Sequence, residues 1–271
     1  MFRLTLRTRS PVPLEVFGLT PERVASLSPL EVANLPVRHG NRSEPLGEFF
    51  DVTTDTRTNG DLHFAGDTRN VHGIAAGMSA GDVYVENNVG RHAGAEMAGG
   101  RLTVDSGAGD WLGAQMKGGV IEVRGAAGNC VGAAYRGSRR GMTGGTILLR
   151  GRAGDELGLL MRRGLIVAEG PVGEYAGASM IAGSLFLLGG ARERLAAGMK
   201  RGTIVTAGEP LLGPGFQFAC EYRPAILSVC VRYLERLDVR PVAPVGSYVR
   251  CYRGDLVTGG RGEVLALAPP G

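Results

Sequence analysis

A repeat of 19 residues runs through the middle of the chain and constrains its fold more than any other feature. Methionine recurs at positions 78, 97, 116, 142, 161, 180 and 199, so five of the six intervals are 19 residues long and one is 26. Each of these methionines is followed three residues later by a glycine and, two residues beyond that glycine, by an aliphatic residue. Seven extra residues, which lie within 133–141, account for the long interval.

A period of this length excludes most repeat architectures. Helical repeats need about 33 or more residues, and leucine-rich repeats carry a Leu-x-x-Leu-x-Leu run that is missing here. The aliphatic-x-aliphatic pair after each glycine is typical of a short strand with one face in the core. Glycine makes up 45 of the 271 residues, which suits corners better than helices. The sequence therefore predicts an all-β fold, a parallel β-helix of about seven or eight coils with methionine and aliphatic ladders inside.

The segments on either side of the repeat have other patterns. Phe2–Arg7 alternates like a strand, and Thr20-Pro21 and Ser28-Pro29 each place an N-cap residue before proline. The N-terminal segment is therefore predicted to contain a strand and two short helices. Apolar residues at helical spacing predict an amphipathic helix over 225–237, which either covers the repeat or binds a partner.

Two further strands are predicted near the C-terminus, at Ser247–Tyr252 and Glu263–Leu267. We divide the chain into an N-terminal cap segment (1–58), a β-helix repeat domain (59–208) and a C-terminal extension (209–271).

Composition and charge exclude several classes of protein. The net charge is only +4 and the basic residues are scattered, which argues against nucleic-acid binding. No stretch approaches the roughly 18 apolar residues of a membrane span, and the N-terminus lacks the pattern of a secretory signal. We therefore expect a cytoplasmic protein. The four cysteines and four histidines lack ligand spacing, so we predict no metal in this chain.

The sequence contains no catalytic constellation. The glycines do not form a Gly-x-x-x-x-Gly-Lys-Ser/Thr phosphate loop. Arg150 lies one residue beyond its strand, and no group of aspartates for calcium surrounds it. Acidic residues fall near the outward positions of the repeat strands, where we expect a solvated ladder: Glu86, Asp105, Glu122 and Glu169. We therefore predict no catalytic, cofactor-binding or metal-binding residue in this chain.

The segment inserted into the repeat is the candidate for a contact with partners. It carries Arg136, Arg139 and Arg140, and insertions in repeat arrays form loops that often bind. Arg162-Arg163 and Lys200-Arg201 directly follow two of the repeat methionines and would add a basic edge.

A corner motif within the repeat points to a known family. The motif Gly-x-x-Gly-x-x-x-Gly is intact three times, at Gly125-Gly128-Gly132, Gly151-Gly154-Gly158 and Gly170-Gly173-Gly177. It resembles the right-handed β-helix of the glutamate synthase large subunit and of the C subunit of formylmethanofuran dehydrogenase. The chain length, Gly40-Asn41 followed by Pro45-Leu46-Gly47, and the stretch 71–78 favour the second of these families. The resemblance covers residues 1–215.

The resemblance implies a role in one-carbon metabolism. In the archaeal family, the complex reduces CO2 and attaches formyl to methanofuran with a tungsto- or molybdopterin subunit. In methylotrophic bacteria, a related formyltransferase/hydrolase complex moves formyl from formyl-tetrahydromethanopterin to a methanofuran-like cofactor and then releases formate. A zinc-bearing amidohydrolase-like subunit and a formyltransferase subunit perform that chemistry beside a further subunit, whereas the C subunit is expected to be a non-catalytic scaffold.

We expect this chain to be the structural subunit of the bacterial complex, because all 30 basic residues except Lys117 and Lys200 are arginine. Two alternatives remain open, namely the C subunit of a CO2-reducing formylmethanofuran dehydrogenase and the scaffold of a glutamate synthase-like enzyme. A stand-alone β-helix enzyme of the left-handed acyltransferase kind would show a six-residue period, and the period of 19 argues against it.

Overall fold

The chain folds mainly into β-strands, and a computed structural model describes residues 1–54, 61–239 and 247–267. Among these residues lie three α-helices, α1 (Pro21–Val24), α2 (Pro29–Ala33) and α3 (Ala225–Arg236). The strands are β1 (Phe2–Leu6), β2 (Leu14–Glu15), β3 (Pro36–His39), β4 (Arg42–Pro45), β5 (Phe50–Thr54), β6 (Leu62–Ala65), β7 (Val71–His72), β8 (Asp82–Val85), β9 (Arg101–Val104), β10 (Val120–Val123), β11 (Thr146–Leu149), β12 (Leu165–Ala168), β13 (Ser184–Leu187), β14 (Arg201–Ala207), β15 (Gln217–Tyr222), β16 (Val249–Gly254) and β17 (Arg261–Leu267).

Most of these strands belong to one sheet of 13 strands, in the order β15-β16-β17-β14-β13-β12-β11-β10-β9-β8-β6-β1-β5. Each repeat contributes one strand, from β8 to β14, and every neighbouring pair in that run is parallel. The pairing joins equivalent residues of successive repeats, such as Val83 with Leu102 and Ile121 with Ile147. The chain is therefore a mostly-β protein in which each repeat lies beside the one before it.

Successive repeats also touch outside their strands. Ala108 forms isolated parallel bridges with both Val89 and Ala127, which are its equivalents in the neighbouring repeats. At another point of the repeat, the amide of Ala98 donates to the carbonyl of Met78 over 2.7 Å. Each repeat is thus held to its neighbour along several lines of backbone hydrogen bonds.

The methionine column forms the core that the sequence predicts, because all seven of these side chains have a relative exposure of 0%. The packing also explains why each methionine is linked to a glycine. A Cβ on Gly119 would lie 2.7 Å from the Cε of Met97, and a Cβ on Gly145 would lie 2.7 Å from the Cε of Met116. Each methionine therefore fills the space that the glycine of the next repeat leaves open.

The N-terminal segment adds two strands to one edge of the large sheet, where β1 lies between β6 and the edge strand β5. Both predicted helices are present, and Ser28 forms a capping box with Glu31 at the start of α2. Glu22 in α1 accepts hydrogen bonds from the amide and the hydroxyl of Ser79, at 2.8 and 3.0 Å. The first helix is therefore tied directly to the first repeat. A sheet that the sequence does not predict also forms here, in the order β4-β3-β2-β7.

Helix α3 covers the outer face of the later repeats, which is one of the two roles expected for it. Its buried side chains, among them Val231 and Leu234, share a cluster with Val167 and Phe186, which point outward from their strands. In the earlier repeats the equivalent outward positions are polar or only partly buried, as at Tyr84. The outward residues therefore become apolar where the helix packs on them.

The two C-terminal strands are displaced by two residues from their predicted starts. β17 begins at Arg261 because it pairs in parallel with the whole of β14, and β16 extends to Gly254 because it pairs with Gly262. Within the described residues, no helix has the length and apolar character needed to cross a membrane.

Candidate functional site

The inserted segment is anchored to the repeats on its N-terminal side. The hydroxyl of Tyr135 lies 2.9 Å from Nδ1 of His92, and its ring centroid lies 5.0 Å from that of Trp111. Arg136, Arg139 and Arg140 follow this anchor and are all exposed. The structure therefore brings the three predicted contact residues together on one anchored loop.

The anchor belongs to a row of rings that we call the aromatic corner: Phe17, His92, Trp111 and Tyr135. Burial, followed by the charges of His72 and Arg91, lowers the pKa of His92. Burial and the nearby Glu96 raise the pKa of Tyr135 to about 12. The histidine and the tyrosine are therefore mainly neutral at pH 7, and a hydrogen bond between two uncharged groups holds the loop in place.

Replacing Tyr135 by alanine is expected to release the loop. The substitution removes ring packing worth about 2 kcal/mol, so the loop should open more often. We expect trypsin to cleave after Arg136, Arg139 or Arg140 about tenfold faster, as followed by mass spectrometry of the native chain. The matched control is Tyr135→Phe, which keeps the ring and should change the rate far less. Equal cleavage of Tyr135→Ala and the unaltered chain would show that the anchor does not hold the loop.

The corner that carries these rings has an unusual backbone. Its non-glycine residues occupy equivalent positions in six repeats, and all have positive φ: His92 (63°), Trp111 (65°), Cys130 (62°), Glu156 (60°), Tyr175 (58°) and Arg194 (62°). This conformation costs about 1 kcal/mol for such residues. The ring of Phe17 takes the equivalent place in the first repeat, since a Cβ on Gly73 would lie 2.7 Å from it. The repeat spacing in the sequence shows that these residues are equivalent. It does not show their positive φ, because large side chains are uncommon in the left-handed conformation.

Cys130 is the one thiol in this corner, and its surroundings disfavour the thiolate form. It is buried and its sulfur lies 3.3 Å from Oε2 of Glu156. Burial, the hydrogen bond to Glu156 and that carboxylate's charge raise the pKa of Cys130 to about 12. The thiol therefore stays protonated at neutral pH, whereas nucleophilic cysteines react as thiolates.

We therefore expect Cys130 to resist alkylation in the folded chain. Treatment with iodoacetamide at about pH 8 should label the exposed Cys220 and leave Cys130 unmodified. Unfolding in urea before labelling provides the control, because it should make both thiols reactive. Rapid labelling of Cys130 in the native chain, read by peptide mass spectrometry, would contradict the burial and the raised pKa.

The acidic positions on the outer strand face form a ladder, but the prediction that it is solvated is wrong. Arg150 pairs with Glu122 at 3.0 Å and with Glu169 at 2.7 Å, and the exposed fractions of these three side chains are 20%, 19% and 31%. Asp105 pairs with Arg124 at 2.7 Å. The repeat spacing stacks charges of opposite sign about 4.8 Å apart, so the carboxylates find arginine partners instead of water.

No group of three or more histidine, cysteine, aspartate or glutamate side chains within the described residues is placed to hold a metal ion. The carboxylates of Asp105, Glu122 and Glu169 in the ladder form ion pairs with arginine side chains of neighbouring repeats. The aromatic corner and its arginine loop are a distinct surface feature of the described residues.

No family model matches the chain. Over 95 residues, it is 39% identical to the C subunit of the tungsten-containing formylmethanofuran dehydrogenase 2 of Methanothermobacter thermautotrophicus, and the match covers 34% of this chain and 35% of that protein. Over 93 residues, it is 36% identical to the C subunit of the molybdenum-containing formylmethanofuran dehydrogenase 1 of Methanothermobacter marburgensis, covering 34% of this chain and 23% of that protein. The match thus spans about a third or less of these relatives.

A solved structure matches from end to end. A chain in the crystal structure of the formyltransferase/hydrolase complex (FhcABCD) from Methylorubrum extorquens, in complex with methylofuran, superposes with a TM-score of 0.90. It is 31% identical in sequence, and the match covers 99% of this chain and 100% of that chain. The two sets of relatives agree, and this chain belongs to the family of formylmethanofuran dehydrogenase C subunits.

Proposed function

We propose that this chain is the non-catalytic structural subunit of a formyltransferase/hydrolase complex. The observation that carries the proposal is the end-to-end match to a chain of such a complex, at 31% identity over 99% of the residues. The relatives named as parts of dehydrogenases match over only 34% of the chain, so they favour the family more than the dehydrogenase reaction.

The architecture suits a structural role. We infer that the repeats form a right-handed parallel β-helix, with residues 1–58 as its cap. The parallel strands at the repeat spacing, the bridges on a second line and the buried methionine column support this inference. The core side chains interdigitate from one repeat to the next, which makes a stiff support for partner subunits.

The proposed reaction belongs to the whole complex. Formyl would pass from formyl-tetrahydromethanopterin to a methanofuran-like cofactor and would then be hydrolysed to formate. We assign these steps to a formyltransferase subunit and a zinc-bearing amidohydrolase-like subunit, with this chain and a further subunit beside them. The methylofuran in the related structure supports a carrier of this class.

We propose the arginine loop as a contact with one of these partners. Arg139 and Arg140 are exposed on a loop whose start is held by Tyr135, and a loop that is held before binding loses less conformational freedom on binding. Charge reversal of both should weaken assembly of the complex. Reversal of Arg38 and Arg42, which are exposed on a different part of the chain, is the control. Unchanged assembly with both loop arginines reversed would refute this contact.

The proposed function is tested by comparing formate release by the purified chain, by the complete complex and by the partner subunits without this chain. The purified chain alone should release no formate from formyl-tetrahydromethanopterin, even with the methanofuran-like cofactor added. The complete complex should release formate, and a preparation of the partner subunits without this chain should lose most of that rate. Formate release by the chain alone would contradict a non-catalytic role, and a full rate without the chain would contradict a structural one.

A further inference from the structure

A groove at the end of the repeat region is lined by five cationic side chains. They are Arg162 and Arg163 from one repeat, Lys200 and Arg201 from the repeat two further on, and Arg261 at the start of β17. The cavity that they line has a volume of about 630 Å³. We call it the basic groove.

The register of the sheet explains why these cations lie together. Ser184 pairs with Leu165 on one side and Thr203 on the other, so the residues two positions before each of them are also equivalent. Arg163 therefore stands two strands away from Arg201, across the small side chain of Ala182, which lines the floor of the groove. Arg201 in turn stands directly opposite Arg261 in the parallel pair of β14 with β17.

The charge of the basic groove is uncompensated. None of its lining residues is acidic, and none of the five cations forms an ion pair with the described part of the chain. Like charges placed opposite one another on strands are destabilising. Arg201 and Arg261 stand opposite each other and therefore repel one another in the free chain.

Several arginines elsewhere on the repeats are matched by carboxylates. Arg124 is paired with Asp105 on the adjacent repeat, and Arg150 is paired with both Glu122 and Glu169. The same stacking that neutralises those arginines gathers only positive charge in the basic groove. The clustering of five cations in one groove without an acidic lining residue suits a negatively charged partner.

The spacing of the cations decides what kind of anion fits. Neighbouring strands are about 4.8 Å apart, so the backbones at Arg163 and Arg201 are about 10 Å apart. A single carboxylate or phosphate group carries about one or two negative charges, which would leave most of the five cations unmatched. Arg163, Lys200 and Arg201 are also exposed, so the groove lacks the buried donors that would hold a small anion. The geometry suits an extended chain that carries several separated negative charges.

We propose that the basic groove binds an extended acidic segment of a partner subunit. A peptide in the extended polyproline II conformation advances about 3.1 Å per residue with three residues per turn, so acidic side chains three residues apart share one face and lie about 9 Å apart, close to the spacing of the arginine rows. The proposal rests on the proposed function, because it assumes that this chain is the structural subunit of a complex. It adds a second surface through which the chain would bind a partner subunit. It does not involve the arginine loop of residues 136–140.

The direct test uses the full chain and a defined probe, a fluorescent peptide in which Asp-Ser-Gly is repeated four times. Fluorescence anisotropy should show saturable binding at about 50 mM NaCl and at least about tenfold weaker binding at about 500 mM. The double variant Arg163→Glu/Arg201→Glu should weaken binding at least tenfold, and Arg163→Gln/Arg201→Gln should weaken it less. The control Arg38→Glu/Arg42→Glu has the same change of charge and should bind within about twofold of the unaltered chain.

Three outcomes would overturn the proposal. The first is that the peptide shows no saturable binding. The second is that the control variant Arg38→Glu/Arg42→Glu loses as much affinity for the peptide as the groove variant. The third is that inorganic phosphate displaces the peptide when both are present at the same total concentration of negative charge. Thermal unfolding of each variant confirms that it is folded before binding is compared. The peptide assay uses the chain without its partner subunits. If the peptide does not bind but the complex still assembles, only the proposed role of the basic groove is rejected. Peptide binding by a chain that forms no complex would instead reject the proposed function.

Discussion

Gly100→Ala is expected to destabilise the chain by about 3 kcal/mol or more, the largest effect of any single methyl group that we foresee. Gly100 has a φ of 75°, and a Cβ there would lie 2.4 Å from the carbonyl oxygen of Gly81. The same Cβ would lie 3.0 Å from the Cε of Met78. The clash is with the backbone of the preceding repeat, so two adjacent repeats would have to separate.

Gly77→Ala is the matched control for this substitution. Gly77 has nearly the same backbone angle, with a φ of 73°, but a Cβ there would have no neighbour within 4 Å. It should cost only the strain of the left-handed conformation, about 1 kcal/mol. Urea unfolding of the two variants, followed by circular dichroism, measures the difference. Equal losses of stability would show that contact between repeats does not set the requirement for glycine.

Arg150→Met is expected to cost about 2–3 kcal/mol and to loosen helix α3. Besides its two carboxylate partners, Arg150 donates to the carbonyls of Asp238 and Leu237, at 2.7 and 3.1 Å. Burial alone would lower the pKa of Arg150, but its hydrogen bonds to Glu169 and Glu122 raise that pKa. The guanidinium therefore stays charged at every working pH, and its loss leaves half-buried carboxylates and carbonyls without a donor.

The matched control is Arg124→Met, which removes a single pair from an arginine side chain that is 57% exposed. It should cost less than about 1 kcal/mol. Hydrogen exchange of the α3 amides should accelerate in Arg150→Met and remain unchanged in Arg124→Met, while urea unfolding gives the free energies. Slow exchange of α3 in both variants would mean that Arg150 does not hold the helix.

The features that repeat were predictable from the sequence, and the reason is physical. Apart from the one insertion, the methionine column and the strands from β8 to β14 recur every 19 residues, because each repeat packs in the same way against a similar neighbour. The helices that begin at Pro21 and Pro29 were predictable too, since their signals are local.

The features that the sequence did not predict depend on contacts between distant segments. Tyr135 reaches His92, and Arg150 reaches the end of α3, and neither contact leaves a local pattern. The acidic ladder could be placed on the outer face but not paired with arginine, because its partners come from neighbouring repeats. The basic edge of Arg162-Arg163 and Lys200-Arg201 follows from the repeat, but Arg261 joins it through the parallel pairing of β14 with β17, which no periodicity indicates.

The most direct test of the central claim is the composition of the native complex that purifies with this chain. Affinity purification through the chain, followed by native mass spectrometry, should yield one assembly that contains a formyltransferase subunit and an amidohydrolase-like subunit. We expect these partners to stay bound in fixed stoichiometry. Recovery of the chain as a monomer without partners, or only with a pterin-binding redox subunit, would contradict the proposed function.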